Sequence, residues 1–391
     1  MEIELKKLGE ITTGNTPSKK DGSYWDSEDI CFVKPDGIAD EGITLINDSS
    51  EYISENARSK ARVVSKDAVF VTCIGSIGKI GIASSGDYAF NQQINVIEPN
   101  EKVLPRYLAY NLLYSKPRLE AIANAPVVPI INKTQFGDFK LNIEEDRAKQ
   151  AEIVSVLDKL TGIIESRKKE LESFDELIKA RFVEMFGDLA DPACEWEKCK
   201  LVDVCVNSDD IKCGPFGTQL GKDEYTEKGV AVWEIPQINS EFRTLPTHFV
   251  TEKKAEELDA YSIIPGDIAM SRKGNVGRCA VFPSSFENGI IHSDVLRIRL
   301  NEMKALPEFM MRQLRYSGDI QHQIELVSSG AIMAGINVTK LKQILIYLPP
   351  MNSQSEFVEF VAQVDKSKVA VQKSLDETQL LFNSLMQKYF G

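Results

Sequence analysis

The sequence of this chain is dominated by a repeat of about half its length. Five blocks recur in the same order, and the two members of each pair lie between 193 and 205 residues apart. The paired blocks are 7–11 with 200–204, 75–79 with 274–278, 104–108 with 306–310, 131–134 with 336–339, and 150–187 with 354–391. Small loop insertions would explain the drift in spacing. The repeat therefore predicts a tandem duplication, in which one structural unit is built twice.

Each copy opens with a part, at about residues 1–143 and 195–349, that has the pattern of a mixed α/β domain. Both parts are rich in glycine, proline and asparagine and contain short strand-like runs such as 94–97 and 295–300. A helical stretch at 105–113 begins with a proline, which suits the first turn of a helix.

Each copy closes with a long helix that carries a heptad pattern. The apolar positions of the first helix are Ile153, Leu157, Leu160, Ile164, Leu171, Phe174, Ile178 and Met185. The matching positions of the second helix are Phe357, Val361, Val364, Val371, Leu375, Phe382, Leu385 and Tyr389. Apolar residues in alternating steps of three and four over more than four heptads are typical of a coiled coil. A helix of about 38 residues would extend roughly 57 Å, which is longer than a small domain is wide.

Charged residues interrupt both helix seams at Arg167, Arg181 and Lys368. The simpler expectation is that their aliphatic stems pass the seam and their charges reach solvent. The alternative is that they specify the register of the helices or pair with acidic partner residues.

The predicted fold class is α+β, a tandem duplication of a mixed α/β domain followed by a long helix. Two like units that meet through the same surface tend to be related by a two-fold axis, so the two helices should pair as an antiparallel coiled coil. We expect a dumbbell with pseudo-two-fold symmetry. The alternative is a pair of amphipathic helices that each pack on their own domain. The predicted boundaries are 1–149 and 188–353 for the globular domains, the second with its linker, and 150–187 and 354–391 for the helices.

Composition limits the chemistry without identifying it. No run approaches the roughly 20 apolar residues needed to cross a bilayer, and the charged start of the chain lacks an apolar signal core. The seven cysteines are scattered, so we expect reduced thiols in a cytoplasmic protein. A net charge of -12 argues against a protein that coats DNA. A site-specific reader can still be acidic if its cations are concentrated in one groove.

Several short motifs, in order and duplicated, resemble those of Type I restriction-modification specificity subunits. The motifs lie at 14–18, 24–25, 32–38, 75–79, 91–94, 150–154 and 185–187. The second copy departs from the pattern at 213–218, where Cys-Gly-Pro-Phe-Gly-Thr replaces a Gly-x-Thr-Pro turn, and at 292–294, where His-Ser-Asp replaces Asn-Gln-Gln. The resemblance covers essentially the whole chain, and it identifies the globular parts as target recognition domains.

The resemblance implies a non-catalytic subunit that reads a bipartite, asymmetric site in double-stranded DNA. Each recognition domain would read one half of the site. The helices would form the main docking surface for two methylation subunits, which carry S-adenosylmethionine and flip the target adenine. Restriction subunits would join to cleave DNA. No cofactor, metal or small-molecule substrate is expected on this chain.

Candidate DNA contacts are loop residues whose side chains can pair with base edges or phosphates. In the first domain they are Asn15, Thr16, Ser18, Lys19, Lys20, Lys34, Ser76, Lys79, Gln92, Gln93 and Lys133. In the second domain they are Gln219, Lys222, Gln237, Arg272, Lys273, Asn275, Arg278, Ser293 and Lys340. The segment 272–275 has the highest density of donors. Each of these residues could instead be an ordinary solvated or turn-forming loop residue.

Two other classes of protein are alternatives: an enzyme, either a methyltransferase or a nuclease, with its own recognition domains, and a coiled-coil scaffold or adaptor. An adenine methyltransferase would show a glycine-rich cofactor loop and an Asn/Asp-Pro-Pro-aromatic motif, but Leu348 and Met351 flank the Pro-Pro pair here. A coiled-coil scaffold without DNA binding is compatible with the acidic net charge. Cys194, Cys199, Cys205 and Cys213 lie close together in sequence, but their spacing lacks the paired C-x2–4-C units of structural zinc sites.

Overall fold

A computed structural model describes residues 1–123, 128–187, 195–328 and 335–391. The chain divides into two compact units, the first formed by Met1–Lys169 with Gln372–Gly391 and the second by Glu170–Val371. Each unit contains one globular domain and segments of both long helices. Each long helix therefore starts in one unit and ends in the other.

The first copy contains eleven strands and four α-helices in the described residues. Its strands are β1 (Glu2–Glu4), β2 (Gly9–Thr13), β3 (Ile30–Val33), β4 (Ile43–Ile46), β5 (Tyr52–Ile53), β6 (Val63–Val64), β7 (Val69–Thr72), β8 (Ile80–Ala83), β9 (Tyr88–Phe90), β10 (Ile94–Pro99) and β11 (Lys140–Asn142). Its helices are α1 (Pro105–Tyr114), α2 (Lys116–Ile122), α3 (Lys133–Asp138) and α4 (Arg147–Phe186).

The second copy contains ten strands and six α-helices in the described residues. Its strands are β12 (Glu197–Lys200), β13 (Ile211–Cys213), β14 (Val230–Trp233), β15 (His248–Val250), β16 (Ser262–Ile263), β17 (Ile268–Ser271), β18 (Cys279–Val281), β19 (Gly289–Ile291), β20 (Val295–Ile298) and β21 (Leu345–Leu348). Its helices are α5 (Ile235–Asn239), α6 (Glu252–Glu257), α7 (Pro307–Tyr316), α8 (Gly318–Leu326), α9 (Val338–Leu341) and α10 (Met351–Phe390).

The sheets of the two copies have the same strand order, which confirms the predicted duplication. The order β2-β10-β7-β8-β4 in the first copy corresponds to β13-β20-β17-β18 in the second, whose described residues contain no counterpart of β4. The order β5-β3-β9-β6 corresponds to β15-β14-β19-β16, and the pair β1-β11 to β12-β21. Because topology is conserved where few residues are identical, the continuously buried central strands, rather than particular side chains, define this domain.

The two long helices run antiparallel, as predicted. In the first unit, Met386 near the end of α10 shares a hydrophobic core with Leu157 near the start of α4. In the second unit, Phe182 near the end of α4 shares a core with Phe357 near the start of α10. All sixteen apolar seam positions are buried or half-buried. The alternative of helices that pack only on their own domain is therefore wrong.

The last turn of each long helix completes the core of the other copy's domain. In the first unit, the ring of Phe390 meets the edge of Tyr107 with 5.2 Å between centroids. In the second unit, Phe186 meets Phe309 at 4.9 Å. Phe186 and Phe390 occupy matching positions of the repeat, and both are buried. Each domain is thus built from residues of both copies.

Two of the charged seam residues pair across the helices. Arg181 donates to Glu356 at 2.8 Å, and its guanidinium lies 5.7 Å from the ring centre of Phe360. Lys368 donates to Asp175 at 2.5 Å. The expectation that these charges simply reach solvent is wrong for both residues. Opposite charges at matched positions penalise a shifted helix register, which is the role of such pairs in coiled coils.

A buried glutamine joins the start of each long helix to the domain before it. The amide of Gln150 donates to the carbonyl oxygens of Lys102 and Glu144, and its own oxygen accepts from the amide of Leu104. Gln354 makes the same three kinds of bond in the second copy, to Lys304, Pro349 and Leu306. The helices begin at Arg147 and Met351, slightly before these glutamines.

The described part of the chain contains no cluster of three or more His, Cys, Asp or Glu side chains with a geometry for metal binding. Cys194, one of the four cysteines considered for zinc, lies outside the described residues. No helix within that same part combines the length and hydropathy that a membrane crossing requires.

Replacement of Phe390 by Ala should destabilise the first unit by about 3–5 kcal/mol, because it removes a buried ring and leaves a cavity. Phe186→Ala should have the same effect on the second unit. Thermal unfolding combined with hydrogen exchange would show loss of protection in the domain of one unit only. Leu380→Ala is the matched control, since Leu380 lies on α10 but is 71% exposed. Equal loss of protection in both domains after either substitution would contradict the assignment.

Candidate nucleic-acid interface

Loops from two sheets of the first domain converge at one edge. β2 and β7 both end beside the start of β10, at Thr13 and Thr72. β3 and β9 run parallel and pair Val33 with Phe90, so the chain leaves both strands at the same side. We call residues 14–20, 34–37, 73–79 and 91–93 the first loop edge. It gathers most of the candidate contacts of the first domain.

The second domain forms the same edge from the matching strands. β13 and β17 end beside the start of β20, at Cys213 and Ser271. β14 and β19 run parallel and pair Trp233 with Ile291. We call residues 214–220, 234–237, 272–278 and 292–294 the second loop edge.

One glycine in each domain fixes the contact between two of these loops. A Cβ atom on Gly14 would lie 2.2 Å from the carbonyl oxygen of Asn91, and one on Gly214 would lie 2.2 Å from that of His292. The amide of Gly14 donates to Ile94 and that of Gly214 to Val295, both at 3.1 Å. Although the motif around it changed, the second copy has kept the glycine that this close approach requires.

Two further segments join the loop edges through backbone hydrogen bonds. The amide of Ile131 donates to the carbonyl of Cys73 at 2.8 Å, and the amide of Ile336 to that of Arg272 at 3.1 Å. Lys133 and Lys340, which are exposed candidates, follow Ile131 and Ile336 in sequence. The two bonds therefore bring these lysines towards the edges.

The first loop edge presents a set of neutral polar groups. The Thr16 hydroxyl donates to the side-chain oxygen of Gln92 at 2.9 Å, which leaves the amide group of this exposed glutamine available as a donor. Gln93 accepts a hydrogen bond from Asn91 at 2.9 Å, and Asn15 donates to the carbonyl of Lys60 at 2.6 Å. An exposed side-chain amide beside a hydroxyl is suited to the paired donor and acceptor of adenine.

A carboxylate holds two of the candidate lysines of the first domain. Lys34 lies 2.6 Å from Glu51 and Lys19 lies 3.5 Å from it. The hydrogen bond from Lys34 lowers the pKa of Glu51, and the same bond raises the pKa of Lys34. The ammonium of Lys19 also lies over the ring of Trp25, at 5.2 Å from the centroid. A phosphate that reached this edge would compete with Glu51 for both cations.

Lys79 and Arg278, at matching positions of the repeat, hold neighbouring loops in place. Lys79 donates to the carbonyl of Pro35 at 3.3 Å and pairs with Asp40 at 2.9 Å, a contact that lowers the pKa of Asp40. Arg278 donates to the carbonyl of Asn239 at 2.8 Å. Both cations therefore have a structural role at the edge.

Arg272 ties three parts of the second domain together. Its Nε donates to the carbonyl of Ile336 at 3.3 Å and its Nη1 to that of Ser293 at 3.4 Å. The guanidinium lies 5.5 Å from the ring centre of Phe216. Lys273, the next residue, pairs with Asp294 at 2.7 Å. The cluster with the highest donor density is thus held by backbone carbonyls, one ring and one carboxylate.

Gln237 does not fit its predicted role as a DNA contact. It is 3% exposed, its amide donates to the carbonyl of Leu245, and its oxygen accepts from the amide of Glu234. A side chain that is buried with both polar ends bonded caps α5 and is not available to a base. Gln219 is exposed but bonded to the hydroxyl of Tyr261 at 2.8 Å.

The remaining candidates are exposed or half-exposed on loops. They are Ser18, Lys20, Ser76, Lys222, Asn275 and Ser293. Three residues of the site were not predicted from the sequence: Glu51 and Asp294, which hold its lysines, and Phe216, which is 52% exposed. Phe216 stands two residues after Gly214, as Thr16 does after Gly14, so the repeat alignment could have identified it.

Comparison with known proteins gives one family. A family model described as the Type I restriction modification DNA specificity domain matches residues 1–173 and 194–378. The Type I restriction enzyme MjaIX specificity subunit of Methanocaldococcus jannaschii is 26% identical over 47% of this chain and 43% of its own length. The HindI specificity subunit of Haemophilus influenzae is 32% identical over 28% of this chain and 23% of its own. The chain thus matches less than half the length of these two relatives.

Solved structures show the same fold over the whole chain. The S subunit of a Type I restriction-modification system from M. genitalium matches with a TM-score of 0.59 and 15% identity, over 100% of this chain and 96% of the other. A chain from a structure on complex assembly and conformational transition of the type I R-M system matches with a TM-score of 0.59 and 18% identity, over 100% and 97%. Identities this low show the fold alone.

Gly214→Ala should destabilise the second domain by about 1–3 kcal/mol, because its Cβ would overlap a backbone carbonyl that cannot move freely. Gly14→Ala should do the same to the first domain. Gly217→Ala is the matched control, since a Cβ there meets nothing within 4 Å. Denaturant unfolding and amide exchange at residues 292–294 would measure the effect. A Gly214→Ala protein as stable as Gly217→Ala would contradict the close approach.

Proposed function

The chain belongs to the family of Type I restriction-modification DNA specificity domains, and we propose that it is the subunit that reads a bipartite, asymmetric DNA site. The observation that carries the proposal is the pair of loop edges. They share strand order and the glycine contact, but the side chains on them differ. One scaffold that presents two different sets of groups is suited to two different half-sites.

The charges of the loop edges explain how an acidic chain can be selective for DNA. Each edge contains a lysine held by a carboxylate, Lys34 by Glu51 and Lys273 by Asp294. Phosphates must displace these carboxylates, so the electrostatic attraction that favours any DNA sequence is reduced. Base contacts then account for a larger share of the binding free energy at the correct site.

Exposed apolar side chains on the long helices support docking of one partner per unit. In the first unit they are Val156, Ile163, Leu380 and Leu381, and in the second they are Leu177, Val183 and Val369. Their exposed fractions range from 38% to 71%, and they lie outside the seam. Contiguous exposed apolar surface is typical of protein interfaces, and Leu380 and Leu381 are adjacent on α10. We assign these two surfaces to two methylation subunits.

The chemistry would belong to those partners. S-adenosylmethionine would bind to the methylation subunits, restriction subunits would join the complex to cleave DNA, and the chain would have no catalytic activity of its own. The assembly would work in the cytoplasm. What this chain contributes is the choice of sequence and the attachment of the partners.

The decisive test is to purify the chain with its methylation subunit, incubate the complex with DNA and S-adenosylmethionine, and map the modified adenines. We expect a split, asymmetric motif with a fixed gap. Arg272→Ala combined with Lys273→Ala should relax or abolish recognition of one half of the motif and leave the other half unchanged, because these residues organise only the second loop edge. Met303→Ala serves as the control, since Met303 is 85% exposed and lies outside that edge.

Other outcomes would separate the alternatives. Methylation by the chain alone would make it an enzyme and contradict the proposal. A stable complex that methylates without any sequence preference, or that does not bind DNA, would favour a scaffold.

Glu51→Gln should increase the affinity of the complex for DNA of any sequence, because it releases Lys34 and Lys19 to phosphates. The slope of log K against log salt concentration should become steeper by about 1 to 2, one unit for each additional phosphate contact. Fluorescence anisotropy over a salt series would measure both effects. Glu28→Gln, which removes an exposed carboxylate of the same domain, is the charge-matched control. An equal change in both variants would indicate a general charge effect and contradict the role of Glu51.

A further inference from the structure

Phe216 is a large apolar side chain held in solvent on the second loop edge. Its ring is 52% exposed, whereas the rings of the domain core are buried. The groups around it on the edge are charged or hydrogen-bonding. An exposed ring at this position forgoes part of the stabilisation that burial would give, and unlike Met303 it lies on the edge to which we assign DNA recognition.

The ring is fixed in position. The amide of Phe216 donates to the side chain of Gln219 at 3.2 Å, and its carbonyl accepts from the amides of Gln219 and Leu220 at 2.7 and 3.1 Å. Leu220 is buried in the domain, which anchors this turn. The ring itself lies against the guanidinium of Arg272, which two backbone carbonyls hold from the other side.

The same contact decides which part of the ring a ligand can reach. Insertion between two base pairs would require both faces of the ring, because each face stacks on one base. One face is already covered by the guanidinium of Arg272. What remains accessible is the ring edge and the opposite face, which suit a small apolar group.

We infer that Phe216 is a specificity-determining residue that contacts the C5-methyl group of a thymine in the half-site of the second domain. The inference rests on the proposed function. Thymine is the base that presents an apolar group in the major groove, and phenylalanine is among the side chains that contact it. Cytosine, which lacks this methyl group, would leave the exposed ring against a polar amino group.

The first domain presents different chemistry at the matching position. Thr16 follows Gly14 as Phe216 follows Gly214, and its hydroxyl is bonded to Gln92. The two domains thus place a hydroxyl and an aromatic ring at the same point of one scaffold. The inference accordingly predicts aromatic contact with a thymine methyl group only in the half-site of the second domain.

The test replaces each thymine of the mapped motif by deoxyuridine, one at a time, which removes only the methyl group. Affinity of the complex with the methylation subunit is measured by anisotropy at one salt concentration. In the half-site of the second domain, one replacement should weaken binding about fourfold, which corresponds to roughly 0.8 kcal/mol for one buried carbon group. Phe216→Ala should bind both DNAs equally. Phe216→Leu should retain the preference for thymine, and Met303→Ala should behave as the unmodified chain.

Each contrary result is informative. Three results would overturn the inference and leave the proposed function standing. The first is sequence-specific binding that does not respond to any replacement in that half-site, and the second is a half-site without thymine. The third is a full thymine preference in the Phe216→Ala protein. Absence of specific binding by the unmodified complex would contradict the proposed function itself.

Discussion

Phe186 and Phe390 each end a long helix that starts in one copy of the repeat, and each ring is buried in the core of the other copy's domain. This burial of each helix end in the other copy's domain accounts for the antiparallel pairing of the helices along their seam. A helix can reach the other domain only by running along the other long helix. Neither domain has a complete aromatic core without it. Removal of one helix end would therefore affect the domain to which it does not belong in sequence.

This arrangement separates the part of the molecule that must stay constant from the part that can change. The seam and the ion pair between Arg181 and Glu356 fix the two long helices to each other. The buried Gln150 and Gln354 fix each helix to the domain before it. The loop edges lie at strand ends, where side chains can vary without loss of core packing. In a duplicated chain, divergence at such edges can produce two reading surfaces on one frame.

Much of the fold could be predicted from the sequence, because its pattern is repeated. Heptad spacing identified the helix seam, and the matching blocks identified a duplicated α/β domain. The contact of Phe186 with the second domain was not predicted, since its spacing places it beside the seam positions and tertiary packing alone decides its partner. The strand β4 (Ile43–Ile46), which has no counterpart among the described residues of the second copy, was likewise not predicted.

The site was predicted less well, for two physical reasons. A sequence shows which loop residues can donate hydrogen bonds, but not which of them already do so. The side chain of Gln237 is already bonded in a helix cap, and that of Lys79 is already bonded to a backbone carbonyl and a carboxylate. A search for polar groups also passes over an apolar ring such as Phe216. Its exposure, and its contact with Arg272, depend on how distant loops are brought together.

We propose that two domains of one fold read two half-sites from a common frame. Residues 1–143 and 195–349 are each closed by a pair of strands, β1 with β11 and β12 with β21. The helix ends that complete them, Phe390 and Phe186, occupy matching positions of the repeat, so an exchange keeps an aromatic ring at each core. The most direct measurement is to map adenine methylation by a chain in which a second copy of residues 1–143 replaces residues 195–349. The account predicts a symmetric motif made of two inverted copies of the first half-site. Persistence of the original asymmetric motif in that folded chain would contradict it.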